Sequence, residues 1–124
     1  KNPGIVLVAS DGTINNRSQI HEFQNNAHSA VETNGVLGSD LGGAAWLPGI
    51  RGKIAMAISN GDHALVFNGA ASVTASPPYS AGPTFNQVAI GNSPDQFSWN
   101  GYIERVAIWP NTRVPNAVLQ AITT

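Results

Sequence analysis

Acidic side chains are the first candidates for chemistry in this sequence, because a glycosidase needs two carboxylates about 5–10 Å apart around the bond that it cleaves. The acids are Asp11, Glu22, Glu32, Asp40, Asp62, Asp95 and Glu104. They are scattered, and no two of them lie within three residues of each other. Only Glu104 falls within a strand expected to reach the core, where Arg105 beside it suggests a surface ion pair. We therefore expect that the protein is not an enzyme and has no catalytic residues.

The histidines do not form a metal site by their spacing along the chain. His21, His28 and His63 have none of the short separations typical of zinc ligands, and Glu22 facing His28 across a hairpin would be an ordinary cross-strand pair. Calcium prefers clustered oxygen ligands, and each aspartate in an expected loop lacks a second acid nearby. We therefore expect no cofactor and no metal ligands, with Ca²⁺ held by loop carbonyls as the less favoured alternative.

The sequence also lacks the motifs of other common enzymatic and binding chemistries. The chain has no cysteine, which excludes disulfides, thiol catalysis and thiolate–metal sites. No Ser/His/Asp set, phosphate-binding glycine loop or dinucleotide fingerprint can be assembled from the sequence. Charged residues make up only 10% and the net charge is −1, so neither nucleic acid nor an anionic membrane is an expected partner.

Aromatic and amide side chains carry the most informative pattern. Carbohydrate sites use an exposed ring that stacks on the apolar face of a sugar, with amides and carboxylates that bind its hydroxyls. The expected carbohydrate-binding residues are Trp99, Asn100, Trp46, Tyr102, Asp95 and Asn92. The sequence leaves open whether Trp46 and Trp99 stack on a ligand or anchor their own loops. Trp109 precedes Pro110 at the end of a strand, and we expect it to pack under the following helix.

Length and composition indicate one domain, residues 1–124. A chain of this size with 42% hydrophobic residues can bury a core, while its 13 asparagines replace charge at the surface. No apolar run approaches the length of a membrane span, so we expect no membrane partner. The sequence begins at Lys1 and lacks both an initial methionine and a signal peptide, and we expect it to be a segment of a longer protein.

Short runs of β-type residues alternate with turn signals. The expected strands cover residues 4–10, 17–23, 28–33, 53–59, 63–68, 85–90 and 102–109, the last with a bulge near Glu104. The turn signals are Asp11-Gly12, Asn34-Gly35, Asn60-Gly61, Asn68-Gly69 and Asn100-Gly101. Such dipeptides favour type I′ hairpin turns, although the last two could be strand-end bends. The residues between Ser72 and Pro83 hold three prolines and predict a long surface loop.

Two further patterns complete the expected fold. In the strand 53–59, Ile54, Met56 and Ile58 alternate with alanines, so an element must pack closely against the small face. After Pro115, apolar residues recur at helical spacing up to Ile122, which predicts one short C-terminal helix. We therefore expect an all-β fold, an antiparallel jelly-roll β-sandwich with one short C-terminal α-helix.

The C-terminal half carries a resemblance to a known family. The motifs are KIAMAI at 53–58, ALVFNG at 64–69, VAIG at 88–91, WNGYIERV at 99–106, WP at 109–110 and NAVLQAIT at 116–123. In this order they resemble the closing section of the concanavalin A-like jelly roll of laminin-G type, as found near the C-termini of bacteriophage tail-fibre, tail-spike and head-fibre proteins. Residues 1–52 match only loosely, and the family's first strand has no counterpart.

This resemblance implies a non-catalytic, lectin-like module of an extracellular virion protein. Its partners would be a cell-surface glycan or polysaccharide and other virion subunits; a homotrimer is one possible assembly, and the sequence does not determine the oligomeric state. A purely structural decoration or assembly module without sugar binding is the alternative. A glycoside hydrolase is the third option, and the scattered acids disfavour it because catalytic relatives place their carboxylates in a Glu-x-Asp-x-Glu motif.

Overall fold

The computed structural model describes residues 4–76, 85–93, 98–109 and 112–124. Its elements are β1 (Gly4–Ser10), β2 (Arg17–Phe23), β3 (Asn26–Thr33), β4 (Val36–Ala45), β5 (Ile54–Ser59), β6 (Asp62–Phe67), β7 (Val73–Ala75), β8 (Gln87–Ile90) and α1 (Asn116–Thr123). Every pair of neighbouring strands is antiparallel. Within the described residues, the expected all-β architecture with one short C-terminal helix is therefore confirmed.

The strands form two sheets. A large sheet has the order β4-β3-β2-β1-β8, and a small sheet has the order β5-β6-β7. The strand β8 returns to the first strand of the chain, so that Leu7 pairs with Ile90. The inner face of the large sheet is the one that meets the small sheet, since Ser18 Oγ lies 3.4 Å from Met56 Sδ across the gap. Because side chains alternate along a strand, the neighbours of Ser18 in β2 point to the opposite, outer face.

The small sheet lies between the large sheet and the helix. One of its faces joins the helix in a buried cluster of Ala55, Ala57, Ala64, Val66 and Leu119. Alanine leaves room for a helix to approach the strands closely, and the fully buried Leu119 fills that room. The helix therefore covers the small apolar face of β5, which confirms the sequence-based expectation for that strand.

A buried histidine connects the two sheets. His63 in β6 is fully buried, and its Nε2 and Nδ1 lie 2.8 Å and 2.6 Å from the hydroxyls of Ser29 and Ser39. These serines belong to β3 and β4 of the large sheet. Both ring nitrogens therefore have partners in the neighbouring layer, so the sheets are joined by hydrogen bonds as well as by apolar contact.

The turn signals have mixed outcomes. Asn34 and Gly35 both have positive φ, 53° and 74°, as a type I′ hairpin turn requires, and they connect β3 to β4. Asn60 and Gly61 connect β5 to β6, but only Gly61 has positive φ. The turn between β2 and β3 uses Gln24 and Asn25, with φ of 52° and 62°, and it contains no glycine.

The structure corrects three parts of the expected pattern. The expected surface loop from Ser72 to Pro83 contains β7 (Val73–Ala75), and its residues 77–83 lie outside the described residues. Residues 102–109 are outside any strand, so the expected final strand and its bulge are wrong. In contrast, β4 spans ten residues that the sequence analysis left without a strand. Its glycines Gly38, Gly42 and Gly43 disfavour a strand and interrupt the alternation of apolar residues, but pairing with β3 overrides this preference.

Trp109 is not packed under the helix, contrary to expectation. It is the last residue of the unpaired stretch 102–109 and is 54% exposed. Val114, instead of Trp109, packs half-buried against the apolar cluster under the helix.

Among the described residues, the structure contains no helix with the length and hydropathy of a membrane span.

Candidate functional site

A broad cleft separates the two sheets at one side of the molecule. Its volume is about 1990 Å³, and both sheets contribute inner-face side chains to its walls, including Ile20 and Met56. The segments 46–53 and 98–109 also line it, and residues 112–114 and the helix, through Leu119, Ile122 and Thr123, contribute further side chains. Drug-sized ligands occupy pockets of about 300–1,000 Å³, so this cleft has room for an extended ligand of several units.

Two of the sequence-predicted residues form a stacked pair in this cleft. The rings of Trp46 and Trp99 have centroids 5.0 Å apart at an angle of 35°, and Trp46 also contacts Phe67 at 5.3 Å. The indole N–H of Trp46 donates to the carbonyl oxygen of Ile50 at 3.0 Å. Each of these contacts fixes the orientation of Trp46, so the pair is a rigid part of the wall.

Glycines make this aromatic packing possible. A Cβ atom at Gly52 would lie 2.5 Å from Phe67, and one at Gly101 would lie 2.6 Å from Trp99 Nε1. A Cβ atom at Gly4 would be 3.1 Å from the same indole. The Trp99 Nε1 atom is buried and has no hydrogen-bond partner among the described residues. Trp99 therefore packs closely against the backbone at Gly4 and Gly101, which is typical of an anchoring residue.

Tyr102 contrasts with the anchored tryptophans. Its side chain is 94% exposed, and it lines the same cleft as Trp46, Trp99 and Asn100. Asn100 is exposed as well, so its amide is accessible to a ligand. The cleft thus brings four of the six predicted carbohydrate-binding residues to one wall, and Tyr102 offers the freest aromatic face.

The other two predicted residues do not join this group in the structure. The Oδ1 atom of Asn92 accepts a hydrogen bond from the backbone N–H of Ser93 at 2.8 Å, and Asn92 does not line the cleft. Its backbone forms an isolated β-bridge with Ser98. Asp95 lies outside the described residues.

A second polar cluster, which sequence reasoning missed, occupies the outer face of the large sheet. His21 and His28 are directly paired across β2 and β3, with ring centroids 5.3 Å apart at 31°. His28 Nδ1 lies 3.0 Å from Asp40 Oδ1 of β4. The amide of Gln19 reaches within 3.5 Å of His21 Nδ1. Sequence spacing does not reveal this cluster. It could be found only by predicting the β2–β3 register, which places His21 opposite His28.

Burial controls the charge of two histidines. Burial lowers the pKa of His21 to about 4, and the nearby Asp40 carboxylate opposes that change. Burial lowers the pKa of His63 to about 4 in the same way. Both imidazoles are therefore neutral at pH 7, and each has a lone pair on one ring nitrogen.

Comparisons with known proteins give no identification. No protein-family model matches the chain, and no curated protein or solved structure is detectably similar to it.

Proposed function

We propose that this domain is a non-catalytic, lectin-like recognition module that binds a glycan or polysaccharide in the cleft between its sheets. The observation that carries the proposal is the exposed Tyr102 ring on the same wall as the Trp46–Trp99 pair and the Asn100 amide. An open aromatic face with a neighbouring amide suits the alternating apolar and hydroxyl surfaces of a sugar.

The size of the cleft supports an extended ligand. Its volume of about 1990 Å³ exceeds what one sugar ring would fill, so a chain of sugars is the better match. At its rim Arg51 and Glu104 form an ion pair with each other, and Glu22, Lys53, Arg105 and Arg113 also line the cleft. A cell-surface polysaccharide is the class that we propose.

The proposed setting comes from the motif resemblance. The order of the C-terminal motifs supports a concanavalin A-like jelly roll of laminin-G type, in a bacteriophage fibre or tail protein outside the cell. The two antiparallel sheets and the C-terminal helix are compatible with that family. In this setting the glycan would belong to the surface of the host cell, and other virion subunits would be further partners.

Replacement of Tyr102 tests this function. Wild-type protein is first screened on a glycan array, and the affinity for the strongest ligand is then measured by titration calorimetry. Tyr102→Ala should weaken binding by about fivefold, since a stacked ring contributes about 1 kcal/mol. The melting temperature should not change, because a side chain that is 94% exposed contributes little to the core.

Leu37→Ala is the matched control. Leu37 is also an exposed apolar residue, at 56%, but it lies in β4 and does not line the cleft. Its substitution should leave the affinity unchanged. Absence of any glycan ligand on the array, or equal binding by the wild type and Tyr102→Ala, would refute the proposed site.

A structural assembly module is the second candidate function. Val106, Ile108 and Trp109 are all exposed apolar residues in the unpaired stretch 102–109. Exposed apolar side chains in a row favour a surface that another subunit covers. A trimer in light scattering, together with the absence of glycan binding, would support this candidate in place of the lectin.

A further inference from the structure

Three adjacent strands bring two imidazoles and a carboxylate together on the outer face of the large sheet. His21, His28 and Asp40 come from β2, β3 and β4, and their ligand-type atoms all lie within 4.8 Å of one another. The cleft is on the inner face, and none of these three residues lines it. Any role of this cluster is therefore independent of the proposed glycan site.

The distances are close to those of a metal site. Two ligand atoms about 2.1 Å from one zinc ion are about 3.0 Å apart at a right angle and about 3.4 Å apart in a tetrahedron. His28 Nδ1 and Asp40 Oδ1 already lie 3.0 Å apart. The third candidate ligand atom, on His21 of the neighbouring strand, lies within 4.8 Å of these two atoms, so the His21 ring would have to move closer to bind the same ion.

The surroundings of the cluster orient its rings. The Gln19 side chain is 7% exposed, and its Oε1 has no hydrogen-bond partner among the described residues, while its amide lies 3.5 Å from His21 Nδ1. If the amide turns over, Oε1 accepts the Nδ1–H proton and leaves the lone pair of Nε2 for an ion. This is the usual support of a metal-bound imidazole. Gly42 lies opposite His28, and a Cβ atom there would approach the His28 ring to 3.3 Å.

We propose that His21, His28 and Asp40 bind a divalent transition-metal ion of the Zn²⁺ class. Two imidazole nitrogens and one carboxylate oxygen are a ligand set that zinc accepts, whereas calcium prefers oxygen ligands alone. The side chain of Asp40 is 39% exposed, so an ion can enter from solvent on that side. Three protein ligands leave at least one coordination position for water or a ligand atom.

An ordinary ion pair does not account for the whole cluster. It would explain the contact between His28 and Asp40, but not the second imidazole that faces them from a position only 5% exposed. The ion would give the facing rings a common partner.

Zinc titration of the metal-free protein tests this site. The intact chain is dialysed against EDTA, returned to metal-free buffer and titrated with ZnCl₂ in a calorimeter. CoCl₂ serves as a second probe, because Co²⁺ bound to nitrogen and oxygen ligands gives visible d–d bands. We expect one Zn²⁺ per chain and a melting temperature that rises with zinc concentration.

Asp40→Asn and His28→Ala identify the ligands. Each should weaken zinc binding by at least about tenfold, the loss that even indirect support of a metal site can cause. Glu104→Gln removes an exposed carboxylate on the opposite side of the large sheet and should bind zinc as the wild type does. Asp40 is partly exposed, so Asp40→Asn tests the site even if His28→Ala fails to fold.

Two results would overturn the proposal. One is the absence of both a calorimetric signal and cobalt bands at millimolar ion. The other is zinc binding by Asp40→Asn that equals binding by the wild type and by Glu104→Gln, since the ion would then be held elsewhere on the chain.

Discussion

At the scale of single residues, hydrogen-bond partners decide the role of each histidine. His63 is enclosed by the hydroxyls of Ser29 and Ser39, whereas His28 faces a partly exposed carboxylate. The sequence could not separate these environments, because all three histidines lie in strands of similar composition. Register across strands distinguishes them, and register depends on turns and bulges that sequence alone does not determine.

Replacement of His63 should destabilise the protein. His63→Leu removes the partner of the fully buried Ser29 hydroxyl, and we expect a loss of about 2 kcal/mol in the free energy of unfolding. Urea denaturation followed by circular dichroism measures this quantity. Val36→Ala, at a position 67% exposed, is the control and should change it by less than about 0.5 kcal/mol. Equal stability of His63→Leu and the wild type would mean that this bridge does not stabilise the fold.

The sequence is similarly limited in predicting the roles of the aromatic residues. Sequence reasoning predicts Trp46, Trp99, Asn100 and Tyr102 as carbohydrate-binding residues, and all four line the cleft. It leaves open whether Trp99 stacks on a ligand or anchors its loop. The anchoring depends on Gly101, whose missing side chain admits the indole.

At the scale of elements, runs of β-type residues bounded by turn signals predict several strands correctly. The expected strands 4–10 and 17–23 match β1 and β2, and the hairpin of β5 and β6 was found from alternation with an Asn-Gly turn between the strands. The strand β4 was missed because it lies at a sheet edge and contains glycines, and its residues are mostly exposed. The stretch 102–109 has strand-like composition but lacks a pairing partner in the described structure.

Leu119 is the main apolar contact between the helix and the small sheet. Leu119 is 1% exposed above the alanines of β5 and β6, so Leu119→Ala should lower the free energy of unfolding by about 3 kcal/mol. Val118, the preceding residue, is 45% exposed, and Val118→Ala should cost less than about 1 kcal/mol. Thermal and urea unfolding of both variants give the comparison. Similar losses in the two variants would contradict the packing of α1 on this sheet.

At the scale of the whole molecule, buried neutral histidines make stability dependent on pH. In the unfolded chain His21 and His63 have ordinary pKa values of 6.5, whereas burial lowers the pKa of each to about 4 in the folded protein. Below pH 6.5 the unfolded state therefore takes up protons that the folded state does not. The free energy of unfolding should fall between pH 6.5 and about 4, by up to about 1.4 kcal/mol per pH unit for each histidine.

Urea denaturation at about pH 7.5 and about pH 5, with EDTA present, measures this dependence. His63→Leu should show a shallower dependence, because one of the two groups is then absent. Stability that is the same at the two pH values in the wild type would show that these imidazoles take up protons in the folded state as readily as in the unfolded chain.

The edge of the large sheet has a consequence for storage and crowding. At two places in its pairing with β3, around Gly38 and again around Gly43, β4 carries one residue more than its partner. Such bulges disturb the even spacing of free backbone donors and acceptors, and the charged Asp40 lies between them. A neighbouring chain would have to match this irregular edge in order to extend the sheet into a fibril. Concentrated solutions of the protein should therefore resist amyloid formation along that border.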